Sequence, residues 1–189
     1  MSTVWRLLQD EHDRIWALLA EISGGAGRPR PEPARQRRLA LGLVGFQSAH
    51  ELAEEAVVWP VVRRRCAEGD ELVTEALAQE CVLKRALNEL RRLSPGSQEF
   101  TECANSVAAE NRTHLSYEQN QIWPRLADAL DAAEAQRLAA RWQAARRRAP
   151  TRPHPHLPAR PWVLATAGSA AAAADRVRDA VTRRGSPSR

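Results

Sequence analysis

The sequence predicts an all-α protein: an up-down-up-down four-helix bundle with an additional C-terminal helix and an extended tail. Three observations carry this. Strand-like alternation is absent, and the good helix formers Ala, Leu, Arg and Glu dominate. Apolar residues recur at three- and four-residue spacing over long stretches, the signature of a helix with one buried face. A patterned segment of eleven residues occurs twice at an offset of 64, so the bundle reads as two helical hairpins of similar design.

The first helix is expected from Thr3 to Ile22. Trp5, Leu8, His12, Ile15 and Leu19 make one stripe, and Gly24, Gly25 and Gly27 end it. Pro31 and Pro33 precede the second helix, expected from Pro33 to Cys66, with Leu43, Phe46, His50, Ala53/Glu54 and Val57 facing inward. Pro60 lacks an N–H and crowds the carbonyl four residues back, so a kink is expected there. Gly69-Asp70 opens a third helix running to Leu93, with Val73, Leu77, Glu80, Leu87 and Leu90 on its face. After the tight turn Ser94-Pro95-Gly96, a fourth helix spans Gln98 to Trp123 and carries Phe100, Val107, His114, Glu118 and Gln121. Pro124 should kink it as Pro60 kinks the second. A fifth amphipathic stretch, 125–148, ends in Arg146-Arg147-Arg148, cations that suit the negative end of a helix dipole.

This divides the chain into a bundle, 1–149, and a Pro/Arg/Ala-rich tail, 150–189, expected to be extended or partly disordered. The body has 21 Lys/Arg and 21 Asp/Glu, while the tail has seven Arg and two Asp, so the tail accounts for the whole net charge of +5. The body thus lacks the basic excess needed to neutralise phosphates, and no nucleic-acid partner is expected. Cys66, Cys81 and Cys103 are odd in number and contain no CxxC pair, which argues against a disulfide framework and a thiolate zinc site. No N-terminal signal pattern and no bilayer-length apolar run occur, so the expected setting is cytoplasmic, without membrane contact.

The repeated segments are His50-Glu-Leu-Ala-Glu54-Glu55-Ala-Val-Val-Trp59-Pro60 and His114-Leu-Ser-Tyr-Glu118-Gln119-Asn-Gln-Ile-Trp123-Pro124. On a helix, residues four apart share a face, so each copy points an imidazole and a carboxylate the same way. His12 lies on the stripe of helix one. Glu80 takes the corresponding place in the second hairpin, since the 38 residues from His12 to His50 exceed the 34 from Glu80 to His114 by the longer Gly/Pro loop. One such pair alone reads as a surface salt bridge. The duplicated set His12, His50, Glu54, Glu80, His114 and Glu118, all facing the interior, reads as a metal site, because unpaired buried ionisable groups are costly and a cation satisfies them together. Lys84, one turn beyond Glu80, offers that carboxylate another partner. Glu55 and Gln119 lie about 100° further round their helices and suit outer roles. Imidazole mixed with carboxylate and no thiolate favours iron or manganese, with zinc a third option. Ferritin-like bundles use Glu-x-x-His, and no core stripe here contains it.

Glu11-His12-Asp13, the His50–Glu55 run with Trp59-Pro60, and His114 to Glu118 with Trp123-Pro124 together resemble the hemerythrin-like, or HHE cation-binding, family over about residues 4–130. The resemblance implies two iron ions, oxo- and carboxylate-bridged, with Glu54 and Glu118 as bridging carboxylates and His12, His50 and His114 as terminal ligands. The Pro-Thr-Arg-Pro-His-Pro-His run resembles the C-terminal extension of some bacterial members. The implied partners are small molecules: dioxygen, peroxide or nitric oxide. Oxygen carriers of this family have five bundle histidines, including a His-x-x-x-His pair on helix three, where this chain has Glu80 and Cys81. More carboxylate and less imidazole favours the ferric state, which points away from reversible oxygen carriage and toward peroxide turnover of catalase type, sensing or iron handling. The alternative is a metal-free bundle serving as an interaction module, its polar stripe a salt-bridge network and its basic tail a site for an acidic partner.

Overall fold

The computed structural model describes residues 3–25 and 29–148 of the chain, and those residues contain helices and no strand. The tail 150–189, with His154 and His156, lies outside the described residues. α1 (Val4–Ser23) ends at Gly24, whose φ of 89° is the left-handed conformation that lets its N–H turn back to the Glu21 carbonyl. α2 (Pro33–Ala53) opens with proline in its first turn, where a missing N–H costs nothing. It runs through a π-helical turn, Glu54–Val58, into α3 (Trp59–Arg65). α4 (Gly69–Leu90) and α5 (Gln98–Tyr117) form the second hairpin, and Ser97 Oγ caps α5 by accepting from the Phe100 N–H at 3.1 Å. α5 passes through a second π turn, Glu118–Ile122, into α6 (Trp123–Ala129). α7 (Ala132–Arg148) follows.

The kinks expected at Pro60 and Pro124 take the form of π turns, at the same offset as the sequence repeat. The Trp59 N–H bonds to the Glu54 carbonyl and the Trp123 N–H to that of Glu118, five residues back in each case. Proline cannot donate and its ring crowds the carbonyl four residues back, so the turn before it widens. The fifth helical stretch differs from expectation. Helix four continues past Trp123 to Ala129, Leu130 is extended, and α7 starts only at Ala132. A capping box explains the break: Asp131 Oδ1 accepts from the Glu134 N–H at 2.7 Å, and Glu134 Oε2 accepts from the Asp131 N–H at 3.0 Å.

The interior has three layers. One apolar cluster gathers Val4, Leu8, Val58, Val62, Val73, Ile122, Leu126, Leu138 and Trp142; the other gathers Ile15, Ile22, Leu43, Leu83, Leu87, Leu90, Phe100 and Val107. Between them lies a polar layer of His12, Gln47, His50, Glu51, Glu54, Glu80, Asn111, His114 and Glu118, each fully buried. Gln47 and Asn111, again 64 residues apart, bond to each other across the interior: Gln47 Nε2 donates to Asn111 Oδ1 at 2.6 Å, and Asn111 Nδ2 donates to Gln47 Oε1 at 3.2 Å. α7 lies outside the four-helix arrangement and packs on α1, α2 and the first π turn.

Two glycines probe this packing in opposite directions. A Cβ on Gly69 would meet the Val62 carbonyl oxygen at 2.4 Å and the Arg63 Cα at 2.9 Å, so backbone must move to admit it. Gly69→Ala is expected to cost about 1–3 kcal/mol. Gly42 is exposed within α2 and has nothing within 4 Å of the added atom, so Gly42→Ala should stabilise by about 0.5–1 kcal/mol. Urea unfolding of the two variants should move the midpoint in opposite directions.

Candidate metal centre

Ligand-type atoms converge in two groups in the polar layer. His12, His50, Glu54 and Glu118 each offer one atom such that all lie within 4.8 Å of one another, and Glu51, Glu80 and His114 do the same. α1 contributes His12; α2 contributes His50 and Glu51; α4 contributes Glu80; α5 contributes His114; the first residues of the two π turns are Glu54 and Glu118. Each π turn starts at the carboxylate one turn after its histidine, and π turns recur at functional sites.

Glu118 spans the two groups. Its Oε2 lies 3.1 Å from His12 Nε2, and its Oε1 lies 3.0 Å from His114 Nε2. Glu54 Oε2 is 3.4 Å from His50 Nε2, and Glu51 Oε2 is 3.5 Å from His114 Nε2. Despite these short distances, His12 Nε2, both nitrogens of His50 and His114, both oxygens of Glu54 and Glu118, and Glu51 Oε2 make no hydrogen bond of acceptable geometry. Buried polar atoms are nearly always paired, so a convergent set of unpaired nitrogens and oxygens fits a cation at their centre.

The electrostatics show what the metal-free site lacks. Burial and the nearby Glu118 charge push the Glu54 carboxyl well above the usual range. Burial works the same way on Glu118, but His114 and His12 outweigh it and hold that carboxyl far below the usual range. Burial opposes the His114 charge, yet Glu118 and Glu51 pull the imidazole up to about 10. Burial lowers His12 despite Glu118 beside it. These directions keep Glu118 ionised beside a protonated His114 and a neutral Glu54, and a bound cation would take over the stabilisation of that charge.

Residues 3–126 match the hemerythrin HHE cation binding domain. This chain belongs to that family. Among relatives, it is 24% identical over 131 residues to an uncharacterized hemerythrin-like protein of Schizosaccharomyces pombe, covering 69% of this chain and 64% of that one. It is 27% identical over 99 residues to a DNA nickase of a Nostoc species, covering 52% of this chain and 28% of that one. The chain thus spans less than two thirds of the length of either relative. A crystal structure of a hemerythrin HHE cation binding domain-containing protein from Mycobacterium kansasii shares the fold, with a TM-score of 0.64 at 20% identity over 93% of this chain and 99% of that one.

Within this hemerythrin-type bundle, all six residues singled out from the sequence are buried in the one layer. Glu80 stands in both of its expected environments. It belongs to the second group, but its Oε2 accepts from Lys84 Nζ at 2.7 Å and its Oε1 from Trp59 Nε1 at 2.7 Å. Its position mirrors His12: Glu80 meets Trp59, and His12 lies against Trp123 with ring centroids 4.8 Å apart. Gln119 and Glu55 sit around these groups as expected, Gln119 Nε2 lying 3.2 Å from His12 Nδ1 and Glu55 pairing with Lys84.

Glu51 was not singled out by the sequence reading. It lies one residue beyond His50, off the stripe assigned to α2, and Leu115 stands in its place in the second repeat. A face-by-face reading takes such a residue for solvent-facing, yet α2 is buried almost all round from Gln47 onward. Gln47 Nε2 holds Glu51 Oε1 at 3.1 Å, which leaves Oε2 toward His114. Comparing the two repeats for mismatches would have exposed this acid-for-leucine exchange.

His114 keeps its proton in the folded metal-free state up to about 10, against an ordinary 6.5. That contribution to stability is fully present below about 6.5 and disappears as the pH rises toward 10. Glu54, held protonated, acts in the same direction above its ordinary 4.5. The denaturant midpoint of metal-free protein should therefore fall steadily between pH 6.5 and about 10. A midpoint that is flat or rises over that interval contradicts the buried His114–Glu118 pair.

Proposed function

We propose that the domain binds two iron ions and reacts with dioxygen, peroxide or nitric oxide in peroxide turnover, sensing or iron handling rather than reversible oxygen carriage. The observation that carries the reading is Glu118, whose two oxygens address imidazoles of two different ligand groups while making no hydrogen bond of their own. A carboxylate so placed suits joining two cations. His12, His50 and Glu54 would complete the first position. His114 and Glu51 would complete the second, with Glu80 available once it leaves Lys84. Three imidazoles among an excess of carboxylates make a hard, anionic donor set, which favours the ferric state. When bound, the iron pair supplies the redox chemistry and the open coordination positions.

The chain's own residues set the conditions around that chemistry. The two apolar clusters keep bulk water from the layer. Trp59 and Lys84 hold Glu80 at the edge of the second position, and Lys84 remains charged because Glu80 and Glu55 overcome the effect of its burial. Gln47 and Asn111 close the layer on the other side and turn Glu51 inward. Peroxide disproportionation is the reaction this enclosed, carboxylate-rich setting suits best.

Protein produced in iron-replete medium is expected to contain about two irons per chain and to absorb in the near ultraviolet. His50→Ala should lose at least half of that iron, and Glu118→Ala nearly all of it, with helical circular dichroism preserved. Full iron stoichiometry in both variants sinks the assignment. A folded, stable, colourless and metal-free native protein would support the interaction module instead, with the Lys84–Glu55–Glu80 network as its interior.

A further inference from the structure

α7 begins at Ala132, beyond the span that matches the family, and a four-helix bundle does not require it. It is nevertheless fastened to one metal ligand. The Trp142 ring is buried and meets the His50 imidazole edge-on, with centroids 6.1 Å apart and planes at 75°. One turn on, Arg146 Nε donates to Glu11 Oε2 at 2.8 Å. The same carboxylate oxygen lies 3.5 Å from His50 Nδ1. The Arg146 guanidinium also covers the Phe46 ring at 4.6 Å, and Phe46 is one turn before His50 on α2. Three contacts from α7 therefore surround His50: on its ring, on the acid behind it, and on the residue beneath it.

The other half of the bundle has no such device. Glu11 and His12 correspond to Gln79 and Glu80. Gln79 donates to Glu75 at 2.7 Å on the surface, and the carboxylates beside His114 approach its Nε2, whereas Glu11 Oε2 stands 3.5 Å from His50 Nδ1, at ion-pair distance without a formed hydrogen bond. His50 thus has a carboxylate behind its outer nitrogen and His114 does not.

We propose that Arg146 of α7 is a positioning residue: by holding Glu11 against His50 Nδ1, it fixes the imidazole with Nε2 turned to the first metal position and makes that position the tighter of the two. The proposal rests on the metal-binding reading above. A carboxylate behind a ligating histidine fixes the tautomer and the ring orientation and raises ligand basicity. Arginine suits the outer place because its charge is permanent and its planar group both donates and stacks. Docking of α7 and occupancy of the first position are then coupled, since each favours the same Glu11 and His50 geometry.

Anaerobic calorimetric titration of metal-free protein with ferrous iron tests this. Native protein should show two binding events of unequal affinity. Arg146→Met and Glu11→Gln should each weaken the tighter event by about 10–100-fold and leave the other unchanged. Arg146→Met added to Glu11→Gln should weaken it no further, because arginine acts through the acid. Arg146→Lys, which keeps the charge without the planar donor, should fall between native protein and Arg146→Met. Glu11→Gln leaves α7 its apolar contacts, so it remains informative if Arg146→Met unfolds. Unchanged affinities in folded Glu11→Gln, equal weakening of both events, or additive losses in the double variant overturn the positioning role alone. A native protein that takes up no iron overturns the metal reading first, and this role with it.

Discussion

The structure turns on one constraint: a layer of ionisable side chains is buried between two apolar half-cores. Seven acids and histidines meet there, His12, His50, Glu51, Glu54, Glu80, His114 and Glu118, all without solvent exposure. Removing such charges from water costs several kcal/mol each unless they are paired. The protein pairs some of them internally. Lys84 faces Glu80 and Glu55, and Trp59 holds the other oxygen of Glu80. Glu54, Glu118 and the three imidazoles are left with mutual approaches that are short but poorly formed as hydrogen bonds. The features around the layer serve this arrangement. The π turns begin at the two carboxylates, and the prolines after them favour the widening. The Gln47–Asn111 pair joins α2 to α5 and holds Glu51 through Gln47.

A repeat at one offset organises the bundle, and its departures make the halves different. His50 and His114, Glu54 and Glu118, Trp59 and Trp123, and Gln47 and Asn111 correspond at one offset. His12 and Glu80 occupy equivalent places with opposite charge preference. Glu51 answers to Leu115, and Glu55 to Gln119. The acids are thereby concentrated beside α4, where the half-buried Lys84 compensates them. The imidazoles His12 and His50 lie near each other on the other side, with ring centroids 5.2 Å apart. One side is nitrogen-rich and braced by α7, and the other is oxygen-rich and linked to a lysine. Two cations bound in such a layer would differ in affinity and in ligand field.

Membership of the hemerythrin family accounts for the bundle and for the repeated motif, while the distinctive chemistry resides in the departures. Glu80 and Glu51 add two carboxylates to the group around His114. α7 lies past the family match and still reaches His50 in the polar layer. Among the described residues no helix is long and apolar enough to cross a membrane, and the polar layer is the chemically unusual part of the interior.

The sequence by itself determined the helices and six of the buried polar groups, because these depend on local periodicity. A residue four positions from another shares its face whatever lies opposite, so His50 with Glu54 and His114 with Glu118 were legible as pairs. The duplicate showed that the faces mattered. The prolines were legible as distortions, though not as π turns, since the form depends on which carbonyl the preceding N–H can reach. Only the tertiary structure decided Glu51, Glu11 and the pairing of Lys84 with Glu55, while its pairing with Glu80 one turn away was legible in the spacing. Glu51 is internal because α2 is enclosed by neighbours on nearly every side, a property of the packing and not of the helix. Glu11 meets Arg146 across 135 residues, and Lys84 meets Glu55 across 29. The break before α7 was written in a local capping box, but its docking on His50 was not. Contacts between helices depend on how the elements are rotated and seated against one another, and no spacing within one helix specifies that.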